Sequence, residues 1–290
     1  MDFEKQQLNS LEEENSADAL REVERLFKET TVYINAGGRG TRLEPVLPKD
    51  KKGIAKAMIE FNEQPMIKNH TDLLLKLNFK NIIVGAGDHT NIADYYSEND
   101  IDDERLDIVD TATQEDTGGD LIKAVRQVEN VGKNVLIENV DTVLYVDRLD
   151  SLLAQHEQSG ATATIVLTTA KGVPNENAFF VDESGKVVYT KEGSSDEQEE
   201  PKEWSGFRGS STGMVIIDSN FIKSYDWSPG DSRLSVYRDM VPELIKRGLL
   251  FAYNNGDSLF ADIGTPEKYK KFKRHEKQLF NALGDKYLNN

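Results

Sequence analysis

Thr31-Val32-Tyr33-Ile34-Asn35-Ala36-Gly37-Gly38-Arg39-Gly40-Thr41-Arg42-Leu43 places a short β-branched and aromatic run directly before a turn with three glycines in four positions. Residues 31–35 read as a strand. Glycine admits positive φ and lets a ligand approach the main chain without a Cβ in the way. Successive backbone N–H groups in such a turn form a concave anion cradle. Arg39 and Arg42 add fork-shaped donors suited to phosphate oxygens. The segment is read as a triphosphate-binding loop, although plain tight turns also collect glycine. It has neither the Gly-Lys-Ser/Thr ending of a P-loop nor the G-x-G-x-x-G spacing of a dinucleotide site.

Working outward, strands and helices alternate. Strands are predicted at 31–35, 81–86, 134–138, 162–169, 177–182, 186–190 and 213–218. Helices are predicted at 65–78, 90–97, 119–130, 148–159, 235–248 and 266–282. This order favours an α/β fold, a mostly parallel sheet covered by helices on both faces. Before it, Leu8, Leu11, Leu20, Val23 and Phe27 recur near helical spacing among charged residues. Residues 1–30 are therefore expected to form an appended N-terminal amphipathic helix, packed on the domain or on a second copy of the chain. Val46 to Gly53 is a lysine-rich loop near the glycine turn, and the polar run from Glu192 to Trp204 carries no packing signal.

Composition narrows the partners. Lys+Arg 35 against Asp+Glu 51 gives a net charge of −16. Such a chain is not expected to bind nucleic acid, which needs a basic surface. A polyanionic ligand would need a local basic island, and Arg39, Arg42, Lys49, Lys51, Lys52 and Lys56 supply one. No apolar run reaches the roughly 20 residues that span a membrane, and the first 30 residues do not read as a secretory signal. With no cysteine there is no disulfide and no thiolate metal site, which fits a cytoplasmic protein.

Three residues outside the turn have the chemistry to join it. Lys56, in Ile54-Ala55-Lys56-Ala57-Met58, can extend an ammonium beside the loop or lie along the surface. Asp141 ends the apolar run Leu136-Ile137-Glu138-Asn139-Val140. The carboxyl ends of strands are where ligands collect in open α/β sheets, though an Asp there also caps turns. Asp262 precedes Ile263-Gly264-Thr265-Pro266, read as a helix start with Thr265 as N-cap and proline at the first position. Two carboxylates and phosphate oxygens are the ligands Mg²⁺ prefers.

The sequence Gly-Gly-x-Gly-Thr-Arg-Leu, then a lysine, then Asn-x-Asp, then Asp-Ile-Gly-Thr-Pro, resembles the sugar-1-phosphate nucleotidyltransferase (nucleotide-sugar pyrophosphorylase) family from about Thr31 to Phe272. The resemblance leans toward the heptose/mannose-1-phosphate guanylyltransferase-like branch. It implies a Rossmann-like three-layer α/β/α nucleotidyltransferase domain over residues 31–290, ending in a C-terminal helix. It also implies the reaction of an NTP with a sugar 1-phosphate, with Mg²⁺, to give an NDP-sugar and pyrophosphate. In that pattern Ala36, Gly37, Gly38, Arg39, Gly40, Thr41, Thr117, Gly118 and Gly119 contact the nucleotide. Arg42, Lys56 and Asp141 are catalytic, Arg42 facing the departing pyrophosphate. Asn139, Glu192 and Gly213 bind the sugar, and Asp141 and Asp262 hold Mg²⁺. A homo-oligomer is compatible with the sequence. His70, His89, His156 and His275 fall in none of these motifs.

Several positions depart from the family pattern. Asn35 stands for leucine, Ala55 and Ala57 for prolines, Asp116 for the first glycine of Gly-Thr-Gly-Gly, and Asp120 for alanine. The spacer before Lys56 is longer than usual, so Lys49, Lys51 or Lys52 compete for its role. Gly193 replaces a lysine expected to contact the sugar phosphate, with Arg208 or Lys191 as substitutes, and Ser211-Thr212 replaces Asn-Ala. The triphosphate half is intact and the sugar half altered. A GT-A-type glycosyltransferase, with Asn139-Val140-Asp141 in place of its Asp-x-Asp, and a non-catalytic nucleotide-binding homologue are the alternatives.

Overall fold

A computed structural model describes residue 18 and residues 20–111, 116–144, 146, 148–169, 178–191, 201, 205–231, 233–257 and 260–288. The chain enters through helix α1, residues 20–28, whose Leu26 and Phe27 are buried. Phe27 stacks on Phe79 at 4.8 Å between ring centroids, and Arg25 pairs with Glu157. The described part of the N-terminal helix thus packs on the same chain.

Strand β1 (Thr30–Asn35) leads into the glycine turn, followed by the short hairpin of β2 (Glu60–Phe61) and β3 (Gln64–Pro65). Next come α2 (Met66–Lys76), β4 (Asn81–Gly85), α3 (Thr90–Glu98), β5 (Leu106–Val109), α4 (Asp116–Gln127), β6 (Asn134–Asn139) and β7 (Thr142–Leu144). Then follow α5 (Leu149–Gln158), β8 (Ala163–Thr168), β9 (Ala178–Val181), β10 (Val187–Thr190) and β11 (Phe207–Asp218). The chain closes with α6 (Ser219–Ser224), a π-helical turn (Val236–Met240), α7 (Val241–Lys246), β12 (Leu250–Asn254), β13 (Phe260–Asp262) and α8 (Pro266–Leu288).

The main sheet runs β10-β9-β11-β6-β1-β4-β5, with β8 and β12 joined beside β11. It is mixed and mostly parallel: among the described residues only β11 and β10 run against the other strands. The centre is covered on both faces, which is why its strands read as continuous apolar runs rather than alternating ones. Val32 and Ile34 face one layer with Leu74 of α2, Ile92 of α3 and Leu152 of α5. Tyr33 and Ile137 face the other, with Leu121 and Val125 of α4 and Leu244 of α7.

Three strands of the main sheet differ from their sequence reading. Neither β5 nor β12 is expected, and β11 begins six residues before the predicted 213. The early half of β11 (Phe207–Ser210) pairs with β9, and the late half (Val215–Asp218) with β6. Its ladder with β8 shifts register between Ser211 and Val215, leaving Thr212, Gly213 and Met214 in a bulge.

Candidate active site

The parallel strands β1 and β6 end side by side, with Asn35 opposite Asn139. The Asn35 amide nitrogen donates to the Asn139 side-chain oxygen at 3.2 Å. The chain then leaves the sheet: Ala36 N–H donates to the Gly85 carbonyl at 3.0 Å. Gly40 has φ +65°, and a Cβ there would lie 3.3 Å from Lys56 Cβ, so the turn packs directly on residue 56. Lys56 N–H donates to the Gly38 carbonyl at 3.0 Å. From that anchored backbone its ammonium reaches Asp141 Oδ2 at 2.7 Å, with both side chains mostly buried.

Asp141 meets Asp262 through a ladder too short to read in sequence. β7 and β13 pair antiparallel with Thr142 opposite Asp262, and Ile263 N–H donates to the Asp141 carbonyl at 3.1 Å. Gly264 N–H donates to Asp262 Oδ1 at 2.6 Å. A Cβ on Gly264 would sit 2.9 Å from Asp262 Oδ1 and 3.4 Å from Asp141 Oδ2. Both carboxylates therefore converge on one small space that a side chain would fill. Lys268, in the first turn of α8, donates to Asp262 Oδ2 at 2.5 Å. Thr265 Oγ1 accepts from Lys268 N–H at 3.4 Å, as expected of an N-cap.

Two chambers share Asn139 and Asp141 in their walls. The first, about 420 Å³, is lined by Gly37, Gly38, Lys56, Thr117, Asp116, Asp120 and Arg233. The second, about 250 Å³, is lined by Arg42, Asp262, Gly264, Lys268, Tyr237, Thr142 and Gly213 with its neighbours Ser211 and Thr212. The Arg42 and Arg233 side chains are exposed and make no hydrogen bond or ion pair among the described residues. Gly213 has φ +83°, and a Cβ there would lie 2.7 Å from Asn139 Nδ2. A third, apolar cavity of about 70 Å³ lies against Asn139, Thr142 and Gly213. Leu73, Leu74 and Met214 line it, with His70 Nδ1 and Glu138 Oε2 in contact at 3.4 Å.

The structure thus brings together Gly37, Gly38, Arg42, Lys56, Thr117, Asn139, Asp141, Gly213 and Asp262. Others sit apart from the chamber walls. Ala36 is buried, and Arg39 turns to Asp88 at 2.7 Å. Thr41 opens a 3₁₀ turn (Thr41–Leu43) at the exposed side of the loop, and Gly40 is spent on packing against Lys56. Gly118 and Gly119 are buried beneath Thr117 and donate their N–H groups to the Leu234 carbonyl at 2.8 and 3.3 Å. Those amides are engaged within the fold, because the segment before the π-helical turn packs onto the start of α4. Of the competing lysines, Lys51 pairs with Glu60 at 2.8 Å, and only Lys56 lines a chamber. Glu192 and Gly193 lie outside the described residues.

Three of the departures from the family pattern, Asn35, Asp116 and Asp120, line the first chamber. Asp116 keeps φ +66° and pairs with Arg238 of the π-helical turn. Asp120 is 5% exposed. Burial and the Asp120 charge push the Tyr33 hydroxyl well above the usual phenol range. Arg233, Tyr237 and Lys268 escape sequence reasoning, since no motif marks a side chain that a later element folds back onto the strand ends. The one available signal for Lys268 is its place three residues after the Thr265 cap.

Comparison with known proteins finds relatives of this chain in sequence and in fold. The sequence pattern of the nucleotidyl transferase family matches residues 31–278. A UTP–glucose-1-phosphate uridylyltransferase from Synechocystis sp. (strain ATCC 27184 / PCC 6803 / Kazusa) is 26% identical over 253 residues, 81% of this chain. The match spans 60% of the length of that relative. The crystal structure of HddC from Yersinia pseudotuberculosis superposes with a TM-score of 0.61 at 21% identity, covering 83% of this chain and 96% of that one. The inositol-1-phosphate CTP transferase from T. maritima gives 0.64 at 13% identity, covering 87% and 97%. The two superpositions show a shared fold, and the match over residues 31–278 makes this chain a member of the nucleotidyl transferase family.

Proposed function

We propose that the protein is a sugar-1-phosphate nucleotidyltransferase, joining an NTP and a sugar 1-phosphate into an NDP-sugar with release of pyrophosphate. The observation that carries this reading is the meeting of Lys56, Asp141 and Asp262 at the wall between two chambers. The first chamber, with Gly37, Gly38 and Lys56, suits the triphosphate. The second, with Gly213 and the altered Ser211-Thr212, suits the sugar phosphate. The uridylyltransferase relative and a second HddC structure, complexed with GMP-PN, support the same class of substrates.

The chemistry follows from charge. A phosphate oxygen of the sugar 1-phosphate attacks the α-phosphorus as the bond to the bridging oxygen of the β-phosphate breaks. That nucleophile is already ionised at neutral pH, so no general base is needed. The barrier is the repulsion between two anions, which cations and oriented amides reduce. Lys56 holds the α-phosphate between the reactants, Gly37 and Gly38 offer main-chain approach, and Arg42 draws off charge. Asp141 and Asp262 would hold Mg²⁺, and the space at Gly264 where both carboxylates converge fits a cation that takes one or two protein carboxylates and completes its shell with phosphates and water. When bound, that ion supplies further neutralisation of phosphate charge.

Residues 1–30 as an appended helix and 31–290 as the catalytic domain belong to this reading, supported by β1 beginning at Thr30. So does a cytoplasmic location, which suits the soluble, charged substrates; no helix among the described residues is long and apolar enough to cross a membrane. The test is pyrophosphate release with Mg²⁺, each of the five common NTPs and a panel of sugar 1-phosphates. Release that requires both substrates is expected. Transfer from a ready-made NDP-sugar to an acceptor would indicate a glycosyltransferase instead, and nucleotide binding with no turnover a non-catalytic homologue.

A further inference from the structure

Resting on the functional reading above, we propose that Lys268 is a ligand of the acceptor's phosphate, held in reserve by Asp262. Each of the two converging carboxylates carries its own lysine: Lys56 on Asp141 at 2.7 Å and Lys268 on Asp262 at 2.5 Å. The two lysines lie in different places. Lys56 lines the chamber with the glycine turn, whereas Lys268 lines the chamber with Gly213 and Arg42.

Charge in that second chamber decides what Lys268 is for. Its wall carries Asp141 and Asp262 against Arg42 and Lys268. A phosphate monoester brings roughly two further negative charges at neutral pH. It cannot enter beside two carboxylates unless cations turn toward it. Arg42 is free to do so. Lys268 is bound to Asp262, yet it is 48% exposed, on a flexible four-carbon stem rooted at the edge of the chamber. The sequence offers Arg208 and Lys191 as other cations for this task. Among the described residues neither lines the chamber, and Arg208 lies over the Phe180 ring.

Lys268 and a divalent cation therefore compete for Asp262. With Asp262 engaged by a cation, the Lys268 ammonium would be released to meet the incoming phosphate at the same wall. Lys268 thus neutralises Asp262 in the empty chamber and the phosphate in the filled one.

The substitution K268M separates this role from a structural one, because its two expected effects have opposite signs. In steady-state assays with a sugar 1-phosphate that wild type turns over, KM for the sugar phosphate should rise at least about tenfold, as for loss of a charge-assisted hydrogen bond. KM for the NTP should change less than about twofold, and K268R should recover most of the loss. In an electron paramagnetic resonance titration without substrates, K268M should bind Mn²⁺ several-fold more tightly than wild type, since the competing ammonium is gone. An unchanged sugar-phosphate KM, or weaker Mn²⁺ binding, overturns the proposal. If circular dichroism shows K268M to be misfolded, K268Q decides by the same measurements. Should wild type turn over no sugar 1-phosphate, the functional reading fails by itself. Lys268 is then judged by calorimetric binding of inorganic phosphate with Mn²⁺ present, which K268M should weaken about tenfold and which, if unaltered, overturns the assignment.

Discussion

Lys56 Nζ donates to Asp141 Oδ2 across 2.7 Å, although 85 residues separate them in the chain. The contact joins the segment packed against the glycine turn to the residues just beyond β6. A single ion pair thereby fixes the boundary between the two chambers.

Lys56 and Asp141 should behave as one unit in catalysis. Lys56→Met is expected to lower kcat at least about 100-fold, and adding Asp141→Asn should cost far less than it does alone. A double-mutant cycle on kcat measures this. Fully multiplicative losses would show that the two side chains act independently.

Asp141→Asn and Asp262→Asn should each cut turnover at least about 100-fold, by weakening metal-assisted neutralisation of phosphate charge. Initial rates across a Mg²⁺ series check this. Near-normal rates in both variants would remove the metal assignment.

Gly213→Ala should destabilise the fold by about 1–3 kcal/mol, the range for a residue forced into a sparsely populated conformation. The cause is φ +83° together with a Cβ 2.7 Å from Asn139 Nδ2. Urea denaturation monitored by far-ultraviolet circular dichroism reads the change. A midpoint equal to wild type would mean that Asn139 gives way at no cost.

Acid should weaken the protein through His156. Burial lowers its pKa to about 4, while its ring contacts Thr164 Oγ1 at 2.9 Å and Asn134 Oδ1 at 3.2 Å. An unfolded histidine titrates near 6.5. Between those values the unfolded chain binds the extra proton, so stability falls as pH drops from about 6.5 to 4, by about 3 kcal/mol in all. Urea midpoints through that window should slope less in His156→Gln than in wild type. Parallel slopes would assign the acid sensitivity to other groups.

Much of this arrangement was legible in the sequence. The Val32–Ile34 run, the glycine turn and the Thr265-Pro266 helix start announce their local structure, because each rests on neighbours in the chain. The meeting of Asp141 and Asp262 does not, since it depends on a three-residue ladder between β7 and β13. β5 escapes notice because Asp107 interrupts a short, half-buried strand at the edge of the sheet. β12 begins at Leu250, just after the predicted helix 235–248, and its short Leu-Phe-Ala-Tyr run falls in no predicted element. The fate of the Gly118 and Gly119 amides was equally hidden, as their acceptor, Leu234, comes more than a hundred residues later.

The bulge in β11 divides labour along one strand. On either side of it, Val215–Asp218 and Phe207–Ser210 are zipped to β6 and β9 and cannot change without loosening the sheet. Thr212 and Gly213, released from that ladder, form part of the second chamber's wall. Under the proposed function, a few substitutions in that wall would reshape the acceptor pocket while the paired stretches on either side stay untouched.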